Sequence, residues 1–150
     1  QPHLPSLSKI LIDKSTDIQV GMEQEYCVRI TDDMMERFKD ITGDCNPLHT
    51  DDKFAEAHGY PKRIAYGMLT ASFLSTLAGV YLPGERSLIQ SVEIKFVRPV
   101  YIGDVLRVHG VVHEINDTVR QIVLKVALTT QNTEQALRGG GKLGVLDKKG

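Results

Sequence analysis

Residues Gly67–Val80 read GMLTASFLSTLAGV, and this stretch decides the fold. It contains no charged residue and is apolar on nearly every side of a helical projection. A helix of that kind has no face to give to water and must be buried. Its 14 residues would span about 21 Å at 1.5 Å per residue, too short to cross a bilayer. The chain downstream offers a partner surface. After Leu82–Pro83–Gly84, the segment Leu88–Arg98 alternates in the manner of a strand. Val105–Ile115 and Val119–Thr130 follow, parted by Asn116–Asp117, a strong hairpin signal. Gln135–Leu146 predicts a last strand, in which Gly139–Gly141 reads as a bulge or bend. One buried helix followed by long antiparallel strands predicts an α+β domain, with a curved sheet wrapped around the helix.

Upstream, Glu25–Ile30 (EYCVRI) alternates polar and apolar and predicts a strand. The period then changes. In Thr31–Ile41, residues Met34, Met35, Phe38 and Ile41 recur at helical spacing. Thr31 is a good N-cap, Asp32 and Asp33 suit the positive end of the helix dipole, and Gly43 is a natural stop. Asp51–Ala57 adds a short helical turn, broken at Gly59–Tyr60–Pro61. Residues 1–16, with Pro2, Pro5 and several serines, read as a loose N-terminal arm carrying one short strand around Ile10–Ile12. The 150 residues suit a single domain, 1–150, with a real core.

Composition excludes several function classes. Apolar residues make up 41% and charged residues 25%, an ordinary soluble balance. The formal net charge of −1 leaves no basic surplus to neutralise phosphates, so nucleic acid is not expected as a partner. No run of 18 apolar residues exists, so no transmembrane helix is expected, and residues 1–8 lack the order of a signal peptide. Cys27 and Cys45 make neither a disulfide framework nor a C-x-x-C pair. No metal centre is expected, and a reduced, cytoplasmic setting is. The chain begins with Gln1 and not methionine, which reads as trimming or as a piece of a larger multidomain polypeptide.

Chemistry concentrates in Gly43–His49 (GDCNPLH). Asp44, Asn46 and His49 lie within six residues around Pro47, which fixes its own φ and pushes Asn46 towards an extended form. A carboxylate and an imidazole held together can divide acid and base work near neutral pH. The same residues suit a turn whose side chains bond to local backbone, and spacing alone leaves both readings open. Gly67 is the second signal. Its N–H lies among the first orphan donors of the buried helix, at the positive dipole end. That amide could polarise a carbonyl approaching over a residue with no side chain, or Gly67 could simply be a tight entry into the helix.

Other patterns carry less. Gly139-x-Gly141-x-x-Gly144 spells a dinucleotide fingerprint, but no helix can follow it. His109 and His113 share one strand face, where packed or exposed histidines outnumber metal pairs.

Phe38-x-x-Ile41-Thr42-Gly43-Asp44-x-Asn46-Pro47-Leu48-His49, with Ala55 after five more residues, resembles the hydratase-2 signature. That signature marks the MaoC-like dehydratase family, which includes (R)-specific enoyl-CoA hydratases. Arg63–Leu69 (RIAYGML) and Phe96–Asp104 (FVRPVYIGD) are similar to two further blocks of the family. The resemblance covers roughly residues 20–130. It implies a hot-dog fold, usually paired as a homodimer whose sheets join edge to edge. It implies reversible addition of water to a trans-2-enoyl thioester, with acyl-CoA or acyl-carrier protein as partner. Coenzyme A enters as part of the substrate, and no cofactor is implied. Asp44 and His49 would activate the water, Asn46 would help position it, and the Gly67 N–H would receive the thioester oxygen. Tyr66 stands where the family commonly has His, at the mouth of the expected pocket. Ser75, eight residues into the helix, would line that pocket or simply pack. Lys62 and Arg63 would meet phosphates of the substrate or stay solvated. Rival readings are a dehydratase for carrier-bound chains and a non-catalytic acyl-thioester binding module. A hot-dog thioesterase is disfavoured, because Gly67–Val80 holds no Asp, Glu or His.

Overall fold

The computed structural model describes residues 9–11 and 17–147. In chain order the elements are β1 (Lys9–Leu11), β2 (Asp17–Gln19), β3 (Glu23–Arg29), α1 (Asp32–Thr42), α2 (Pro47–Thr50), α3 (Asp52–Ala57) and α4 (Gly67–Thr76). A π-helical turn, Leu77–Tyr81, continues α4 and brings the central helix to 15 residues. Then come β4 (Ser87–Phe96), β5 (Val105–Asn116), β6 (Gln121–Thr129) and β7 (Gln135–Val145). Five strands form one antiparallel sheet in the order β3-β5-β6-β7-β4, and β1 pairs separately with β2. Of the expected N-terminal arm, Lys9–Leu11 form β1, and residues 1–8 and 12–16 lie outside the described residues.

The sheet takes up the helix as its apolar pattern requires. Leu69, Leu74, Leu77 and Ala78 share one buried cluster with Leu106, Val108, Leu124, Leu128, Leu137 and Leu143. The approach is close at Gly110, where a Cβ would lie 2.3 Å from Leu77 Cδ2. A side chain there would have to displace the buried Leu77 side chain.

Helix α1 begins as its sequence dictates. Thr31 Oγ1 accepts from the Met34 N–H at 3.2 Å, and Gly43 follows as the C-cap. The caps matter because α1 delivers the chain into the Gly43–Asn46 loop.

Two expectations are corrected. The central helix is not buried on all sides: Met68 is 64% and Val80 67% exposed. The sheet covers one flank, and β4 is an edge strand, so the opposite flank stands open beside Val92 and Phe96. Nor do Gly139–Gly141 make a bulge. They stay in register with Ile94, Glu93 and Val92, while the irregularities fall near Ile89, Val112 and Leu128. The glycines serve close approach instead, since a Cβ at Gly139 would lie 2.0 Å from the Glu93 carbonyl oxygen.

Among the described residues, no helix is long and apolar enough to cross a membrane. None of their His, Cys, Asp and Glu side chains cluster in threes that could hold a metal.

Candidate active site

The loop between α1 and α2 is held by its own polar groups. The Asp44 N–H donates to Thr42 Oγ1 at 3.1 Å, and Asp44 Oδ1 accepts from the Asn46 N–H at 3.1 Å. Asn46 is the N-cap of α2, its Oδ1 accepting from the Leu48 N–H at 3.0 Å, with Pro47 at the first helical position. Each side chain thus spends one oxygen on local backbone, which was one of the two readings that spacing left open. Asp44 keeps Oδ2 without a hydrogen bond among the described residues.

His49 is anchored more firmly. Its Nδ1 lies 2.8 Å from the Ile64 carbonyl oxygen. A carbonyl only accepts, so Nδ1 carries the proton in that bond. In the neutral ring Nε2 is then the nitrogen with a free lone pair, the form a proton acceptor needs.

Gly67 and His49 meet in one cavity of about 250 Å³. Thr70, Phe96, Arg98, Pro99 and Ala136 line it with them. The Gly67 N–H has no hydrogen-bond partner among the described residues, as expected at the first turn of a helix whose N-cap, Tyr66, makes no side-chain cap. Thr70 Oγ1 donates to the Gly67 carbonyl at 2.6 Å and so braces the first turn. The amide is therefore a free donor at the positive end of α4, beside a free imidazole nitrogen. Asp44 and Asn46 are not among the lining residues; Asp44 is joined to the cavity wall through Tyr66.

The remaining candidates fall elsewhere. Tyr66 is buried, 2% exposed, and lies under the Asp44 loop rather than at a mouth. Arg63 is engaged by carboxylates, bonding Asp32 and lying 3.9 Å from Asp52. Lys62 Nζ donates to the Ile102 carbonyl at 3.2 Å. Ser75 is exposed on α4, outside the cavity lining. A larger cleft of about 680 Å³ over β4, β6 and β7 holds none of the candidate residues.

The model of the MaoC like domain matches residues 13–135. The chain belongs to the MaoC-like family. This MaoC-like chain is 31% identical over 146 residues to a 3-hydroxybutyryl-CoA dehydratase of Methylorubrum extorquens, covering 97% of this chain and 90% of that one. It is 30% identical to an (R)-specific enoyl-CoA hydratase of Aeromonas caviae, over 81% of this chain and 91% of that one. Among solved structures it resembles the (R)-hydratase from A. caviae involved in PHA biosynthesis. The TM-score is 0.82 at 28% identity, over 85% of this chain and 97% of the other. The antiparallel sheet around a central helix is the hot-dog fold.

Residue-by-residue reading of this MaoC-like sequence missed three contributors. Ile64 contributes only a carbonyl, which no side-chain pattern announces. Thr70 was discoverable, as a polar residue three positions after Gly67 in an apolar helix. Phe96 packs over Gly67, where a Cβ would lie 3.1 Å from its Cε1.

Proposed function

We propose that this protein adds water reversibly to a trans-2-enoyl thioester, giving the (R)-3-hydroxyacyl thioester. The observation that carries the reading is the unpartnered Gly67 amide sharing a cavity with His49, whose Nδ1 is tethered so that Nε2 is the acceptor. Family membership and the names of the relatives support the same chemistry.

In the hydration direction, water oxygen attacks C3 of the enoyl group. The imidazole at His49 and the carboxylate at Asp44 divide two proton transfers, one removing a proton from the water and the other delivering one to C2. Positioned acid–base groups typically contribute about 10²–10⁴-fold. As the C2–C3 double bond is lost, the thioester oxygen becomes enolate-like, and the Gly67 N–H stabilises it. Such a donor is typically worth about 10²–10³-fold. Asn46 holds the loop that presents Asp44.

The test is a spectrophotometric assay of hydration with enoyl-CoA esters of graded length, with product chirality determined. Loss of the enoyl absorbance with an (R)-product is expected. No hydration of any ester, CoA- or carrier-protein-linked, would overturn the reading.

We further propose a homodimer joined through β4. This edge strand has an unpaired side, and Val92 (50% exposed) and Phe96 (51%) lie beside the open flank of α4 with Met68 and Val80. Pairing β4 with its copy would satisfy the edge and cover an apolar surface that a monomer leaves in water. Light scattering after gel filtration is expected to give twice the chain mass, and Val92→Asp to shift it towards one. A wild-type protein of single chain mass at micromolar concentration counts against the dimer.

A further inference from the structure

Tyr66 contacts the Asp44 loop, the His49 ring and the start of α4. Its hydroxyl donates to the Asp44 carbonyl at 2.5 Å. Its ring lies 4.4 Å from the His49 ring, tilted by 35°, and 4.9 Å from Phe38 on α1. Its own carbonyl accepts from the Thr70 N–H at 3.2 Å, opening the first turn of α4, and the next residue is Gly67. The rest of the Asp44 loop is held only by short-range bonds within itself. Among the described residues, Tyr66 bonds Asp44 itself to the entry of the helix carrying the oxyanion donor, while α2, which follows the loop, is tied to that entry through Ile64.

We infer that Tyr66 is a positioning residue, setting the Asp44 loop and the His49 ring at a fixed distance from the Gly67 amide. The inference rests on the hydratase reading for its kinetic consequence and on the hydrogen bond alone for its structural one. The hydroxyl must be protonated to donate. Burial pushes its pKa up, and the nearby Asp44 carboxylate pushes it in the same direction, so the donor persists at neutral pH. The charged and titratable groups around it are Asp44 and Cys45 of the loop, Glu36 and Lys39 of α1, and His49 of α2.

Tyr66→Phe removes one oxygen and keeps the ring. Misplacing reacting groups by about 1 Å can cost roughly 10²-fold, and one hydrogen bond is worth up to about tenfold. The expected result is a fall in kcat of about 10- to 100-fold with KM within about twofold. Amide exchange at Asp44, Cys45 and Asn46 is expected to quicken in the same variant, with the melting temperature little changed. Unchanged kcat and unchanged loop exchange would overturn the inference, as would a change confined to KM, which would make Tyr66 a substrate contact. If the wild-type protein hydrates no thioester, the hydratase reading fails while loop exchange still decides the role of Tyr66. Should Tyr66→Phe not fold, 3,5-difluorotyrosine at position 66 keeps the shape and makes the phenol more acidic. The alkaline fall in kcat, and the onset of rapid loop exchange, should then move to lower pH. If neither moves, the inference is wrong.

Discussion

His49→Ala is expected to lower kcat by about 10²–10⁴-fold while the protein stays folded. The imidazole is only part-buried, and its hydrogen bond to the Ile64 carbonyl, its one ring bond among the described residues, is worth about 1 kcal/mol net. The stability loss should therefore be small, because no large core side chain is removed. The kinetic loss should be large, because His49 lines the cavity and, with Nδ1 bonded to Ile64, Nε2 is the imidazole nitrogen left to exchange a proton with water. Asp44→Asn should lose turnover as well, since it keeps an oxygen for the Asn46 N–H but gives up the charge. Steady-state rates with crotonyl-CoA, alongside thermal melts, check both. A His49→Ala protein with kcat within tenfold of wild type would remove the imidazole from the mechanism.

Gly67→Pro should cost about 10²–10³-fold in kcat, because it deletes the N–H without deleting the helix. Proline is tolerated at the first helical position, where the amide has no helical partner. The preceding residue already suits it: Tyr66 has φ −57° and ψ 123°, in the extended region that a following proline demands. Gly67→Ala is the control. It keeps the amide and adds a methyl 3.1 Å from Phe96 Cε1, a half-exposed ring that can turn aside. That variant should change KM more than kcat. Equal kcat values for the proline and alanine variants would show that the amide does not stabilise the oxyanion.

How far the sequence could be read follows from where each interaction is written. The central helix and the strands after it were legible because burial leaves a local pattern, seen in GMLTASFLSTLAGV and in the alternation from Leu88 onwards. The open flank of that helix was not, since a pattern tells that a face is apolar and not what covers it. At Asp44 and Asn46 spacing gave two readings, and the structure shows why it could not choose. One carboxylate can cap a turn with Oδ1 and keep Oδ2 for other work. Arg63 read as a solvated or phosphate-facing cation because its partner Asp32 lies 31 residues away in sequence. Ser75 was placed by its distance along the helix, which fixes its height but not its exposure.

The Ile64 peptide grips the His49 segment from both sides: its N–H donates to the Leu48 carbonyl at 3.0 Å, and its carbonyl receives the ring proton. Both clamps are main-chain atoms. Residue 64 can therefore drift among apolar types without changing which imidazole nitrogen is protonated. Tautomer choice is inherited with the chain path itself, and only a displaced backbone could reverse it.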